Sequence, residues 1–202
     1  MRFVRTHWSL IGPTVLVIVI ALLGSMTTRA FQFQVQSVLV TAAIVVALYV
    51  FVGNSGVLSF GQVSFVALGA FSAGILSMPA ATKSSTFPEL FSFLANTEVG
   101  NLTSLVIATV IGGVAAFLVG VPLMRLSGLS AGIATFAVLV IVNNVLRNWE
   151  RIGPGAKTLP LVPRTTGFVQ ATIGLTLIML AAYLYQRSRS GRMMRAARED
   201  PS

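Results

Sequence analysis

Residues 53–76 read GNSGVLSFGQVSFVALGAFSAGIL, a run as apolar as a membrane span that nevertheless holds Asn54, Ser59, Gln62, Ser64 and Ser72 among five glycines and three alanines. A helix surrounded only by lipid has no use for such groups, because polar atoms in hydrocarbon cost free energy unless a protein partner or a watery cavity receives them. The segment therefore reads as a helix inside a bundle. Its composition leaves two roles open. Either it lines a transport path, or it simply packs, since Gly69, Ala70, Ala73 and Gly74 form small-xxx-small pairs that let neighbouring helices approach closely.

The rest of the chain calls for the same solvent. Of its 202 residues 55% are hydrophobic and 9% charged, with a mean hydropathy of +0.86, against roughly 25% charged in soluble domains. That balance specifies an integral membrane protein. At about 20 residues per crossing, the length holds about six transmembrane helices with short connections. The expected fold is an all-α polytopic bundle, a single transmembrane domain over residues 1–202 with no soluble domain left over. The absence of cysteine removes disulfides and thiolate chemistry. The formal charge of +9 is not a nucleic-acid signature, because the basic residues sit at span ends and most densely in the tail, where membrane orientation accounts for them.

Taken in order, the N-terminus joins Arg2 and Arg5 to an apolar run from Leu10 to Leu23 and imitates a secretory signal peptide ending near Ala30. A second apolar run follows within a few residues, which favours an uncleaved first span, with Pro13 tolerated in its first turns. The second span covers about 35–52, and the Gly-Asn-Ser-Gly link at 53–56 makes the third its neighbour. Irregular backbone at membrane depth is permitted where it lines a cavity, so the third span is a candidate for an interrupted or re-entrant helix at this link. Residues 77–101, with Lys83, Glu89 and Glu98, form the longest polar excursion, and Phe87–Leu94 within it reads as a short interfacial helix. The fourth span, about 102–124, aligns Gly112, Ala116 and Gly120 at four-residue spacing as a helix-contact face, and Arg125 closes it. In the fifth, about 129–145, Leu58, Ser59, Gly61, Phe65 and Leu68 of the third recur as Leu129, Ser130, Gly132, Phe136 and Leu139 at a constant offset, the trace of an internal repeat. A second loop at 146–166 precedes the sixth span at about 168–185, with Trp149, Tyr183 and Tyr185 suited to membrane interfaces.

With six crossings, Arg2, Arg5, Arg125, Arg187, Arg189, Arg192, Arg195 and Arg198 share one side, and the positive-inside bias makes both termini cytoplasmic. The loop at 146–166 opposes this with Arg147, Arg151, Lys157 and Arg164. Either the tail outweighs it, or the third segment does not fully cross. Gly128-Leu129-Ser130-Ala131-Gly132 has the spacing of a nucleophile elbow, but His7 is the sole histidine and the context is a span, so hydrolase chemistry is excluded. Gly153–Thr158 lacks the glycine before lysine that a phosphate loop needs. No Asp, Glu, Lys or Arg lies well inside a span, which removes the hardware of proton-coupled carriers. No catalytic residue, metal ligand set or cofactor is expected, and a pump built on this chain draws its energy from elsewhere.

Three stretches together resemble a known family. Gly56-Val57-Leu58-Ser59-Phe60-Gly61-Gln62, followed by Phe65, Gly69 and Ala70, is similar to the G-x-L-S-[FL]-G-[HQ] signature of branched-chain amino acid (LIV-type) ABC transporter permeases. Arg125-Leu126-Ser127-Gly128-Leu129 through Thr135 resembles the family's R-L-x-G segment, and Gly191-Arg192 with Arg195-Ala196-Ala197-Arg198-Glu199-Asp200 resembles its G-R-x-x-R-A-x-R-E-[DN] stretch. The likeness covers roughly residues 35 to 200, and the last motif is the most specific. Gln62 stands where many members have His. In that family the last stretch leads into a cytoplasmic coupling segment and more spans follow, so the chain looks like the N-terminal part of a longer permease.

The resemblance implies a pore-forming subunit in a bacterial cytoplasmic (inner) membrane, paired with a second permease subunit, resting on cytoplasmic ATP-binding subunits and fed by an extracytoplasmic solute-binding protein. Its solute is then a branched-chain amino acid, or in close relatives urea or a short amide. Asn54, Ser59, Gln62 and the backbone at Gly56 and Gly61 would offer neutral hydrogen bonds along the path, while Gly69, Ala73, Gly112, Ala116 and Gly120 pack helices. Arg192, Arg195, Arg198 and Glu199 would meet the ATPase. The competing reading is a non-transporting scaffold or assembly subunit, in which small-residue faces only bind other helices and the tail is only a positive-inside anchor.

Overall fold

Where no water can receive backbone polar groups, a long apolar run must satisfy them within itself, and a helix does this. The computed structural model is built of helices alone among the described residues: α1 (Arg2–Ser25), α2 (Arg29–Ser55), α3 (Gly61–Ser77), α4 (Ala80–Thr86), α5 (Ser92–Ala95), α6 (Asn101–Leu123), α7 (Gly128–Asn148), α8 (Phe168–Arg187) and α9 (Arg189–Glu199). The described residues are 2–56, 59–123, 125–126, 128–149, 151–152, 162 and 167–199, without the side chains of 2–7, 9, 128 and 197–199. Most of the loop expected at 146–166, including the glycine-rich Gly153–Thr158, lies outside them.

Helices α2, α6, α7 and α8 are long and apolar enough to cross a membrane, α3 and α4 make a fifth crossing if counted as one bent span, and α1 adds a shorter apolar helix over Leu10–Ser25. Their outward faces carry large apolar side chains, with Phe117 71%, Leu129 82% and Val169 71% exposed. A surface of that kind is stable where lipid is the solvent. The molecule is a multi-pass membrane protein.

The sharp bend of the third span lies at the opposite end from the link that its composition singles out. α2 runs on through Gly53 and Asn54 to Ser55 and ends at Gly56, whose φ of 71° is the left-handed conformation glycine adopts without strain. α3 has 17 residues, which at 1.5 Å per residue gives about 26 Å, short of the roughly 30 Å of hydrocarbon. Met78 is extended (φ −74°, ψ 139°), as a residue before proline prefers. Pro79 has no N–H to continue the ladder, and α4 departs at 112°.

The chain forms two compact units, Met1–Gly56 with Thr166–Ser202, and Val57–Thr165. In the first, α1 and α2 make a hairpin closed by the Gln32 amide, whose Nε2 donates to Ser25 O (3.0 Å) and Thr27 O (3.1 Å). Gly24 permits the close approach there, since a Cβ on it would lie 2.7 Å from Val35 Cγ1. Ala21, Val35, Leu39, Ala171 and Leu175 form the core between α1, α2 and α8. α1 starts well before Leu10, so Pro13 stands in its interior rather than in its first turns.

In the second unit α3 packs against α6 and α7. The connection at 77–101 is a folded cap on this unit, because Met78, Phe87 and Leu90 join Ile75 in an apolar cluster with Phe71, Leu94 and Ala95 against it. Of the helix expected over Phe87–Leu94 only the part within Ser92–Ala95 forms. Burial of Phe87 and Leu90 around Pro88 holds the preceding residues as turns. Lys83 is fully buried, and its Nζ donates to Leu94 O (3.3 Å) and Thr97 O. Glu98 Oε2 accepts the N–H of Ala80 (3.3 Å), and Val99 N–H donates to Leu76 O (3.2 Å), so both ends of the connection are pinned.

Candidate functional site

The first turn of α3 is set against α7 through one hydroxyl. Thr135 is buried, its Oγ1 donates to Gly132 O (2.8 Å), and the same oxygen accepts the N–H of Phe60 (3.3 Å). That N–H is one of the orphan donors at a helix start, so α7 supplies the cap that α3 lacks in its own sequence. The two helices are in close contact at Gly61, where a Cβ would sit 3.4 Å from both Cβ and O of Thr135. Phe60 and Phe136 meet edge to face beside it, with centroids 6.0 Å apart and planes at 86°. One turn further, Ser64 is fully buried and its Oγ has no hydrogen-bond partner among the described residues.

Along its length α3 runs antiparallel to α6, with Gly112 set against the carbonyl of Phe65 (3.5 Å to an added Cβ) and Gly69 against that of Ala108 (3.8 Å). The register carries Gly120 past the first residue of α3, and no atom of the described residues lies within 4 Å of a Cβ there. Ala73 and Ala116 are half-buried. Contact by backbone and small residues brings two helix axes close without interlocking large side chains.

Of the residues expected along a solute path, Asn54 and Gly56 belong to the first unit and Ser59, Gly61 and Gln62 to the second. Asn54 is buried and its Nδ2 donates to Val50 O (2.5 Å). The N–H of Gly56 donates to Val52 O (2.9 Å) and closes the end of α2. Both groups therefore make a hydrogen bond within their own helix. Ser59 and Gln62 are half-buried at the start of α3, while Val57 and Leu58 of the same motif lie outside the described residues. Sequence reasoning named Ser64 among the polar residues of the third span and Thr135 at the end of the R-L-x-G stretch, but gave neither a place in the site. The repeat held their signal, because the constant offset that maps Gly61 on Gly132 also maps Ser64 on Thr135.

The tail motif falls on α9, which packs on α2 and α8. Arg192 is exposed. Arg195 is turned back, donating through Nε to Gly191 O (3.3 Å) and through Nη2 to Gln186 O. The side chains of Arg198 and Glu199 lie outside the described ones. Of the two tyrosines expected at the interface, Tyr183 lies under the Arg187 guanidinium (4.4 Å) and Tyr185 donates its hydroxyl to Met194 Sδ (2.9 Å). Gly128–Gly132, which has nucleophile-elbow spacing, opens α7 as helix, with no strand before it among the described residues.

No curated protein and no solved structure matches the chain. A family model does, over residues 35–202, under the description branched-chain amino acid transport system, permease component. The match takes in most of α2 and all of α3 through α9, and with them the capped start of α3, the α3–α6 contact and the arginine tail. By that extent the chain belongs to the family of permease components of branched-chain amino acid transport systems.

Proposed function

We propose that the chain is the membrane-spanning permease subunit of an ATP-driven importer for branched-chain amino acids. It works beside a second permease subunit in a bacterial inner membrane, with both termini cytoplasmic. Separate ATP-binding subunits supply the energy and an extracytoplasmic binding protein delivers the solute. The family match over 35–202 is the observation that carries this reading. The structure supports it with a third helix that meets α6 and α7 through glycine, backbone and hydroxyl groups, with the Phe60–Phe136 ring contact beside them. A zwitterion with no net charge meets only neutral dipoles at such a site and passes without being held. Contacts of backbone on small residues also leave α3 able to shift against α6 and α7 in small steps, which alternating access requires.

The test is uptake. The chain in its native assembly is purified, the co-purifying ATP-binding subunits are identified, and proteoliposomes containing ATP are given labelled L-leucine and, in parallel, urea. ATP-dependent leucine uptake is expected, with Gly61→Leu abolishing it while membrane insertion stays intact, because the larger side chain would displace Thr135. Uptake of urea in place of leucine would reassign the solute. An assembly without ATP-binding subunits would leave the scaffold reading.

A further inference from the structure

The corner between α8 and α9 carries more bonds than a change of helix direction needs. Ser188 is extended (φ −66°, ψ 161°) and its N–H donates to Leu184 O (2.9 Å) and Tyr185 O (3.0 Å). Its Oγ donates to Tyr185 O (2.7 Å) and accepts the N–H of Gly191 (3.1 Å), the bond an N-cap serine makes to the third residue of the helix it opens. Arg192 N–H follows with Ser188 O (3.2 Å). At Gly191 the two backbones touch. A Cβ there would fall 2.2 Å from Tyr185 O and 3.1 Å from Tyr185 C, a clash with main chain that no rotamer relieves. Arg195 then spans the corner from the far side to Gln186 O and Gly191 O. Gln186 O is among the last four carbonyls of α8, which have no helical donor and form the negative end of the helix dipole, so a fixed guanidinium fork suits it.

We infer that Gly191 and Arg195 are positioning residues that set the direction in which α9 leaves α8, and so fix where the exposed Arg189, Arg192 and Met193 stand. Two arginines of one motif thus have different work. Arg192 faces outward, whereas Arg195 holds the arm that presents it. The functional consequence rests on the permease reading, in which α9 passes movement between the ATP-binding subunits and the spans. The geometry of the corner does not depend on that reading.

The chain contains no cysteine, so Tyr49→Cys on α2 and Met193→Cys on α9, both exposed, take spin labels cleanly for a pulsed-EPR distance measurement on the full chain in nanodiscs. The parent is expected to give one narrow distance. Gly191→Ala is expected to shift it and Arg195→Gln to broaden it, with Arg195→Lys in between, while Gly174→Ala, where an added Cβ meets no atom of the described residues within 4 Å, changes nothing. Parent distributions in both Gly191→Ala and Arg195→Gln would overturn the inference. In the native assembly, both variants should retain the ATP-binding subunits yet lose solute stimulation of ATP hydrolysis by at least about fivefold, the low end of ordinary site-to-site coupling. Loss of the subunits themselves would make Arg195 a docking residue and refute positioning. An assembly that never held ATP-binding subunits would refute the permease reading, and the distances would still decide the corner.

Discussion

Lys83 and Arg195 solve the same problem in the two units: each cation donates to a carbonyl near the end of a helix, Leu94 O for Lys83 and Gln186 O for Arg195. Lys83 does so without exposed surface, on Leu94 O at the end of α5 and on Thr97 O just past it. A buried ammonium is stable only with such partners, and its removal strands them. Lys83→Met keeps the length and apolar stem but leaves two buried acceptors unpaired, so we expect a loss of about 1–3 kcal/mol and a lower thermal midpoint followed by tryptophan fluorescence. Ser84→Ala, next door and exposed, should leave the midpoint alone. An unchanged midpoint in Lys83→Met would show that water reaches those carbonyls. None of this was legible in the sequence. A lysine among Ser, Thr and Pro looks solvated, and its partners are backbone atoms 11 and 14 residues away, to which side-chain identity gives no clue. Asn54 misleads in the reverse way, since a polar residue in an apolar run looks available while its amide N–H is spent one turn back on Val50 O.

The helices themselves were legible wherever length and hydropathy alone decide, as for α2, α6, α7 and α8. Their ends depended on subtler chemistry. The glycines at 53 and 56 suggested a break before the third span; Gly53 continues α2 and the helix stops at Gly56, while the sharp bend comes later, where Met78 must be extended ahead of Pro79. The spacing of Gly112, Ala116 and Gly120 pointed to a contact face, but spacing carries no register, and only the pairing of Gly112 with Phe65 and Gly69 with Ala108 shows which part of the stripe meets α3. A paired substitution tests that register. Gly112→Leu extends a side chain beyond a Cβ already in contact with Phe65 O and is expected to push α3 away from α6, with a loss of about 1–3 kcal/mol, as overpacking typically gives. Gly120→Leu adds the same apolar bulk where no atom of the described residues lies within 4 Å and should be neutral. Thermal unfolding of the chain in detergent measures both, and equal losses would mean that the stripe acts along its whole length.

For the molecule as a whole, whether the bent pair α3–α4 crosses the membrane decides the side on which everything after it lies. If it crosses, Arg2, Arg5, Arg125 and the five tail arginines are inside, eight of the 14 basic residues, and six are outside. If it turns back, Arg125 and the tail move out, Lys83, Arg147, Arg151, Lys157 and Arg164 move in, and the division becomes seven and seven. The positive-inside bias therefore favours a crossing, by a margin that the opposing loop keeps narrow. It also puts the short α3 in a thinned or tilted setting, with the capped connection at 77–101 completing its passage. Single cysteines at Thr28, Ser85 and Ser190, all exposed, resolve this in intact cells with a membrane-impermeant thiol reagent. We expect Thr28→Cys and Ser85→Cys to label from outside and Ser190→Cys to label only after permeabilisation. Thr28 and Ser85 are separated by α2 and by α3–α4, so labelling of Thr28→Cys with protection of Ser85→Cys would make the bent pair re-entrant and place the tail outside. Ser85 and Ser190 are separated by three helices, and labelling of both from one side would remove one of α6, α7 and α8 from the count of crossings.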